Sequence, residues 1–313
     1  MLFRFLMLFV WICICRCKQS STKIAANTNS VAVQSVLHSP QVMICAIMKN
    51  EQKYVDEWLE YHKYLGFDRV QLYDNAHNAS AFIASLPEKY GSFVDVLHFP
   101  GMARQPDAYI DCMVRNRDHN VWAAFMDIDE FVVLRKHPNI KAFLHDVAPR
   151  GGYVVLNWSI MGSNNATTRA PGTVMSRFTL TSVKPNPHIK TIAYLKHAKH
   201  PNIHNVIMLP GYPTVDQHGH AVDPTTPFVY NSTREVAYIN HYYTKSLEEF
   251  ILKRKRGKAT HYKLMEGPEK DIIARIMYDY RLHNMDSNVV RDTFARDFYV
   301  RHHLGFEFNT TEV

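Results

Sequence analysis

The sequence predicts an α/β protein built on a doubly wound, mostly parallel sheet. Short apolar runs alternate with segments of helical, 3.6-residue periodicity through the first half of the chain. Several of these runs end abruptly in polar side chains, as buried parallel strands do at the edge of a sheet. The clearest is the apolar run 121–126, which stops at Asp127, Asp129 and Glu130. Since ligands of open α/β sheets bind at the carboxyl edge, we expect the functional site there.

The individual elements follow from periodicity and turn residues. Strands are predicted at 42–48, 69–73, 93–99, 121–128 and 153–158. Helices are predicted at 55–65 (ended by Gly66), 81–86, 105–116, 140–147, 246–257, 268–282 and 289–304. Ser246 and Glu249 have the spacing of a capping box, and the last two helices are expected to cover the domain. The alternating order implies right-handed crossovers between parallel strands.

Composition restricts the class of protein. The chain has 313 residues, of which 46% are apolar, and a net charge of +7, with a pI near 9.0. That apolar fraction supports a sizeable core and argues against disorder. The positive charge suits a nucleotide, a polyphosphate or an anionic membrane. Since no long basic block or nucleic-acid-binding signature occurs, no DNA or RNA partner is expected.

The N-terminal residues differ from the rest of the chain. Residues 1–17 are almost wholly apolar and predict a signal anchor or a cleaved signal peptide. We favour the anchor because no small-x-small cleavage site precedes Lys18; a buried N-terminal helix is disfavoured because the segment lacks a polar face. The polar residues 18–40 are predicted to be a flexible stem, and residues 41–313 the catalytic domain. Either form of leader directs the domain into the secretory pathway, and the protein is secreted if the leader is cleaved.

The sequons and cysteines bear on the same compartment. Five Asn-x-Ser/Thr sequons agree with secretion: Asn78, Asn157, Asn165, Asn231 and Asn309. Beyond the leader only Cys45 and Cys112 remain. Cys45 lies in a predicted buried strand, so a free core cysteine is expected rather than a disulfide. No Cys/His spacing indicates a zinc site.

Polar residues are predicted to meet at three strand ends. Asn50 with Glu51, Asp74 with Asn75, and Asp127 with Asp129 would contact the base, the ribose and the metal-bound diphosphate of a nucleotide, respectively. Two carboxylates two residues apart at a strand end suit Mg²⁺ or Mn²⁺; an acidic surface turn is the alternative. Neither a G-x-G-x-x-G nor a P-loop motif is present, which argues against a dinucleotide dehydrogenase or a P-loop NTPase.

These motifs resemble a known family. The resemblance spans roughly residues 42–258, in matching order and spacing, to the family-92 glycosyltransferases. The residues that carry it are Lys49-Asn50-Glu51, Trp58 to His62, Gly66, Tyr73 to Asn75, Gln105, Ala108, Asp111, Cys112, Arg115, Asp127 to Phe131, His241 to Ser246, Glu249, Phe250, Lys253, Arg256 and Gly257.

The resemblance implies a GT-A fold, a UDP-sugar donor, Mn²⁺ or Mg²⁺, a glycan or polysaccharide acceptor and inversion at the anomeric carbon. It also implies a single-pass type II protein of the Golgi membrane with a lumenal catalytic domain. Galactose is the favoured sugar, with xylose and N-acetylglucosamine left open. His241 would be the third metal ligand beside Asp127 and Asp129, unless it is a structural histidine. The expected donor-binding residues are Lys49, Asn50, Glu51, Asp74, Asn75, Gln105, Lys190, Lys253 and Arg256.

The general base is the least defined part of the prediction. No Asp or Glu occurs between Asp146 and Asp216, where such a base is expected. Asp216, Asp223 and Glu130 stay as candidates, with a supporting role favoured for Glu130. Two other classes are also open: a sugar- or nucleotide-binding homologue without turnover, and a phosphotransferase with an aspartate nucleophile, disfavoured because neither Thr nor Gly follows Asp129.

Overall fold

The computed structural model describes residues 40–223, 225–257 and 267–305. The predicted leader (1–17), all of the stem except Pro40, and the Asn309 sequon lie outside these ranges. Within them, no helix is both long enough and apolar enough to cross a membrane.

Thirteen strands and nine α-helices make up the described chain. The strands are β1 (Gln41–Met48), β2 (Arg69–Asp74), β3 (Val94–His98), β4 (Val121–Asp127), β5 (Glu130–Leu134), β6 (Tyr153–Ile160), β7 (Leu180–Thr181), β8 (Asn186–Tyr194), β9 (Ala198–Pro201), β10 (Val206–Met208), β11 (Thr214–Val215), β12 (Ala237–His241) and β13 (Val290–Arg291). The helices are α1 (Gln52–Tyr64), α2 (Ala81–Ala84), α3 (Leu86–Tyr90), α4 (Gln105–Asn116), α5 (Ile140–Val147), α6 (Val174–Arg177), α7 (Leu247–Lys255), α8 (Glu269–Asn284) and α9 (Phe294–His303).

Nine of the strands form the central sheet. Its order is β3-β2-β1-β4-β8-β6-β12-β5, and β11 pairs with β6 at the side of this path. The neighbours β3, β2, β1 and β4 are parallel, whereas β8 is antiparallel to both β4 and β6. The predicted class, an α/β fold with a mostly parallel sheet and C-terminal helices, is confirmed.

Helices cover both faces of the sheet because its central strands are apolar on both sides. Along β1, Ile44 and Ala46 contribute to the core under α1. The alternate residues, Met43 and Cys45, pack in a second core with α4. A strand buried on both faces appears as a continuous apolar run in the sequence, which is the pattern that predicted it.

Several predicted boundaries hold and others shift. The helices at 105–116 and 140–147 have the predicted bounds. The helix predicted at 81–86 is divided into α2 and α3, where Pro87 occupies the first turn of α3. The helix predicted at 289–304 begins at Phe294, because Val290–Arg291 pairs instead with Leu180–Thr181.

The prediction of a free cysteine is wrong. Cys45 on β1 and Cys112 on α4 form a disulfide with a Cα–Cα distance of 6.1 Å. Both residues are fully buried in the second core. Their sequence separation of 67 gives no spacing signal, and only the packing of α4 on β1 brings the two side chains together. The bridge therefore fastens α4 to the sheet.

The bridge generates a stability prediction. We expect the double variant Cys45→Ala/Cys112→Ala to unfold at lower denaturant concentration, with a loss of about 2–5 kcal/mol, since the cross-link restricts the unfolded chain. The measurement is equilibrium unfolding in urea, with wild-type protein in dithiothreitol as the matched control. Peptide mapping under non-reducing conditions that shows no Cys45–Cys112 peptide would contradict the assignment.

Candidate functional site

The acidic turn lies where three strand ends meet. In the register of the sheet, Ile47 is paired with Asp127 and Met48 with Asp74, so β1 lies between the two aspartates. On the other side of the turn, His241 at the end of β12 is paired with Glu130. Parallel strands align their carboxyl ends, and the site follows from that alignment.

Asp127 is held by hydrogen-bond donors from two elements. Gln105 Nε2 at the start of α4 donates to its Oδ1 at 2.6 Å, and Lys190 Nζ on β8 donates to its Oδ2 at 3.1 Å. Lys190 is only 1% exposed and also lies 3.5 Å from Glu130. Burial lowers the pKa of Lys190, but Asp127 and Glu130 outweigh it and raise that pKa well above its ordinary value. Lys190 therefore stays an ammonium beneath the turn.

Asp129 is a buried carboxylate surrounded by cations. Lys253 Nζ donates to Oδ2 at 2.5 Å, and Lys245 Nζ lies 3.6 Å from the same oxygen. His241 Nε2 lies 3.5 Å from Oδ1. Burial alone raises the pKa of Asp129, but Lys253 and Lys245 hold it well below its ordinary value. The side chain is therefore an anion, and it provides a charged oxygen next to an imidazole nitrogen.

Glu130 stabilises the turn from inside the protein. It is fully buried, and its Oε2 accepts a hydrogen bond from the Asp127 backbone N–H at 2.9 Å. Burial raises the pKa of Glu130 well above its ordinary value. This placement fits the supporting role expected for Glu130, because the carboxyl group faces the turn and Lys190.

A cavity of about 240 Å³ opens in front of the two aspartates. Most of the predicted site residues line it: Lys49, Glu51, Asn75, Gln105, Asp127, Asp129, His241, Lys253 and Arg256. The wall is rich in cations, and Arg256 is held in place by Glu51 through a hydrogen bond of 2.8 Å. Asn50 has a φ of 54°, and its backbone carbonyl oxygen accepts a hydrogen bond from Arg256 at 3.4 Å.

Five of the predicted residues do not line the cavity: Asn50, Asp74, Glu130, Lys190 and Asp216. Asp74 is buried, and its Oδ1 accepts a hydrogen bond from the Ala76 backbone N–H at 3.0 Å, so it shapes the turn after β2. Asp216 lines a separate cavity of about 130 Å³. Its Oδ1 accepts hydrogen bonds from the backbone of His218 and His220. Neither Asp216 nor Glu130 is among the residues that line the cavity at Asp127.

Other residues at the cavity were not among the predicted site residues. They are Ile47, Met48, Trp158, Ile203, His204, Tyr243, Arg254 and Gly257, with Lys245 behind Asp129. Tyr243 and Lys245 belong to the same His241-to-Ser246 motif that carried the resemblance, so the motif contained the signal for them. Trp158 had none, because a tryptophan that ends an apolar strand is usually a core residue.

His204 has a defined tautomer. Its Nδ1 faces the carbonyl oxygen of Ile189 at 3.1 Å, so the proton lies on Nδ1 and the lone pair on Nε2. Burial and the charge of Lys190 lower the pKa of His204 to about 4. At neutral pH it is therefore an uncharged imidazole in the cavity wall, able to accept a proton.

The residues present fit a divalent cation. Asp127, Asp129 and His241 offer oxygen and imidazole donors, a set that suits Mn²⁺ or Mg²⁺. His241 Nδ1 is buried and has no hydrogen-bond partner in the described structure. Across residues 40–223, 225–257 and 267–305, no group of three or more His, Cys, Asp or Glu side chains is arranged so that it could hold a metal ion. The three side chains therefore have suitable donor atoms but are not already placed as a metal site.

Helix α7 carries Lys253 and Arg256 to the cavity, and its first turn is strongly fixed. Ser246 and Glu249 form the predicted capping box. Arg177 also binds both oxygens of Glu249, at 2.8 and 2.9 Å. Burial raises the pKa of Glu249, but Arg177 and Ser246 lower it to about 2. The cap thus orients the helix from which the cations reach Asp129 and Glu51.

Sequence comparison identifies relatives of the chain. The sequence model of glycosyltransferase family 92 matches residues 41–274. A family 92 protein of Ricinus communis is 27% identical over 234 residues, which are 71% of this chain and 38% of that protein. One of Oryza sativa subsp. japonica is 25% identical over 168 residues, 52% of this chain and 28% of that protein. The chain thus spans roughly a third of the length of these relatives.

A comparison with solved structures matches S. aureus TarS. Residues 1–349 of TarS cover 85% of this chain with 10% identity and a TM-score of 0.34, and the match includes 72% of the TarS chain. The TarS complex with UDP gives a TM-score of 0.36 at 9% identity, with the same two coverages.

The buried cap predicts a pH-dependent stability. The folded state lowers the pKa of Glu249 from 4.5 to about 2, so its contribution is fully present above pH 4.5 and is lost as the pH falls towards 2. We expect Glu249→Gln to lower the free energy of unfolding by about 1–3 kcal/mol at pH 7, and to remove this part of the acid dependence. Urea unfolding between pH 2 and 7 measures both effects.

The matched control is Glu248→Gln, one residue earlier on α7. Glu248 is exposed, and its side chain accepts one hydrogen bond from the Arg169 backbone N–H. If Glu248→Gln and Glu249→Gln lowered stability equally at every pH, the proposed role of the Arg177 pair would be incorrect.

Proposed function

The chain belongs to glycosyltransferase family 92, and on this premise we propose that it transfers a sugar from a UDP-sugar to a hydroxyl group of a glycan. The observation that carries the proposal is the pairing of Asp127 and Asp129 with a cationic wall at the carboxyl edge of the sheet. Carboxylates suit a divalent cation, and Lys253 and Arg256 suit the oxygens of a diphosphate. Galactose is the proposed sugar, on the resemblance alone.

Asp127, Asp129 and His241 are the proposed ligands of Mn²⁺ or Mg²⁺. A bound cation of this kind neutralises the negative charge that develops on a leaving diphosphate. We propose that cationic side chains of the protein neutralise the rest of the charge on the leaving diphosphate. In the structure, Lys253 donates a hydrogen bond to Asp129. We propose that Lys253 leaves this carboxylate and binds a phosphate oxygen when the donor binds.

The proposed reaction inverts the anomeric carbon. The acceptor oxygen forms the new bond to that carbon while the bond to UDP breaks, and the acceptor proton has to leave. None of the bases considered from sequence, Asp216, Asp223 and Glu130, lines the cavity in front of Asp127. We therefore propose His204 Nε2 as the proton acceptor. Burial and the charge of Lys190 lower its pKa to about 4, so this imidazole is a weak base and would take the proton only as the new bond forms and the acceptor oxygen becomes acidic.

The proposed location is the lumen of the Golgi, with residues 1–17 as a membrane anchor. The Cys45–Cys112 disulfide supports this location, since such bridges persist in oxidising compartments. The sequon residues Asn78, Asn165 and Asn231 are exposed and can accept glycans. Asn157 cannot in the folded protein, because it is buried and its Nδ2 donates to three carbonyl oxygens.

Release of UDP tests the proposal. We expect the protein with Mn²⁺ to release UDP from one of UDP-galactose, UDP-xylose and UDP-N-acetylglucosamine, and to stop when EDTA is added. Asp129→Asn should reduce the rate at least a hundredfold, because it removes the buried charge that faces the cation. Asp118→Asn, at an exposed turn position, is the matched control and should keep the wild-type rate.

Two results would count against transfer. UDP-sugar binding in calorimetry without release, in the presence of glycan acceptors, would favour a binding protein. A phosphoenzyme that forms on Asp127 would favour a phosphotransferase.

A further inference from the structure

Helix α8 has apolar side chains on two opposite faces. On one face, Ile276 and Tyr280 pack against α7 in a small buried core. On the other face, Tyr278, Leu282 and Met285 are 71%, 54% and 70% exposed, and these three residues are here called the outer stripe. Successive members are four and three residues apart, so they lie on one side of the helix. Adjacent exposed apolar side chains of this kind mark an interaction surface.

The outer stripe borders a cavity of about 740 Å³. Its three residues line this cavity together with Arg281 on the same helix and with Asn165 from a distant part of the chain. Asn165 begins the sequon Asn-Ala-Thr at 165–167 and is exposed. A residue to which a glycan can be attached therefore lies in the wall of the cavity that the outer stripe borders.

The loop that contains Asn165 is fixed to the C-terminal end of α8. The Ser163 backbone N–H donates a hydrogen bond to Asn284 Oδ1 at 2.9 Å. The Asn164 backbone N–H donates one to Asn288 Oδ1 at 2.8 Å. Two hydrogen bonds directly before Asn165 thus hold it beside the outer stripe.

The sequon is also fixed to the start of α7. The carbonyl oxygens of Ala166 and Thr167 accept hydrogen bonds from the backbone N–H groups of Leu247 and Glu248, at 3.1 and 3.0 Å. Asn165 itself has a φ of 61°, in the left-handed region where asparagine is enriched. The attachment residue is therefore held between the start of α7 and the end of α8.

A glycan on Asn165 suits the outer stripe in its chemistry. N-acetylglucosamine, the first sugar of an N-linked glycan, has C–H groups and a methyl group to place on aromatic and aliphatic side chains. Because the sugar is covalently attached next to the stripe, its effective concentration there is high and a weak contact is enough. A second copy of the chain is a poorer match, because stable dimer interfaces use about 20–30 residues from each partner.

We propose that Asn165 carries an N-linked glycan whose first sugars cover the outer stripe. When this glycan is transferred from a lipid-linked oligosaccharide diphosphate, Asn165 Nδ2 forms a bond to the anomeric carbon of the first sugar. The bond from that carbon to the diphosphate breaks, the diphosphate leaves with the bonding electrons, and Nδ2 loses one proton. The inference rests on the proposed location in the secretory pathway and goes beyond the sugar transfer that the chain itself performs.

The test removes the glycan without changing Asn165. Thr167→Ala destroys the sequon, whereas Thr167→Ser keeps it. Thr167 is exposed and contacts α7 through its backbone carbonyl, so both variants are expected to fold. Asn78→Gln removes another exposed sequon, on the loop between β2 and α2, and is the matched control. The full chain is produced in the secretory pathway of cultured animal cells, and peptide mass spectrometry measures the glycan at each sequon.

Coverage of the outer stripe is measured by oxidation of Met285 with hydrogen peroxide, also followed by peptide mass spectrometry. We expect Met285 to be oxidised several-fold faster in Thr167→Ala than in wild type, Thr167→Ser or Asn78→Gln, since oxidation follows exposure. Met102, which is 49% exposed, is the internal reference and should be oxidised at the same rate in all four proteins.

Three results would overturn the proposal. The first is an unmodified Asn165 in protein that is glycosylated at Asn78. The second is equal oxidation of Met285 in wild type and Thr167→Ala, which would leave the stripe uncovered by the glycan. The third is protection of Met285 that is lost when the protein is diluted, which would assign the stripe to a second copy of the chain.

The proposed location is judged separately by Asn78. If neither Asn78 nor Asn165 carries a glycan, the proposed compartment fails together with this inference. If only Asn165 lacks one, the compartment stands and this inference alone is refuted. Release of UDP is the independent test of the transferase function.

Discussion

Burial of the Asp129 carboxylate is the interaction on which the rest of the site depends. A carboxylate removed from water is costly unless cations and hydrogen-bond donors compensate. Here Lys253, Lys245 and His241 compensate the charge of Asp129. His241 ends β12, Lys245 lies between β12 and α7, and Lys253 lies on α7. The capping box and the Arg177–Glu249 pair then fix α7, because its Lys253 must reach the turn. A single acidic strand end thus determines how the later half of the chain is packed.

The same compensation explains the chemistry available at this edge. The lysines that neutralise Asp129 in the structure are within reach of a diphosphate that binds in the cavity. A divalent cation and a diphosphate together add no net charge. They can therefore bind without changing the net charge of the site, in which lysines neutralise the carboxylates. Lys190 is different, since it is buried under Asp127 and Glu130 and serves to hold the acidic turn in shape.

Sequence was a good guide where a signal is local. The strand end at Asp127, the capping box at Ser246 and the bounds of α4 and α5 depend on neighbouring residues, and all are found in the structure. The sequence did not predict the features that depend on strand order. Insertion of the antiparallel β8 between β4 and β6 brings Lys190 under Asp127, and helix packing pairs Cys45 with Cys112. Trp158 reaches the site because β6 pairs with β12, which places its ring against His241, and this pairing has no local sequence signal.

The most direct test of this account is the binding of Mn²⁺ followed by electron paramagnetic resonance, in which free Mn²⁺ gives a six-line signal that binding diminishes. Because Lys253 donates a hydrogen bond to Asp129 in the structure, we expect only a weak loss of signal with protein alone. Addition of UDP should cause strong loss in wild type, and Asp129→Asn should abolish it. Equal loss of signal in wild type and Asp129→Asn, or no effect of UDP, would contradict the assignment of the acidic turn as a cation and diphosphate site.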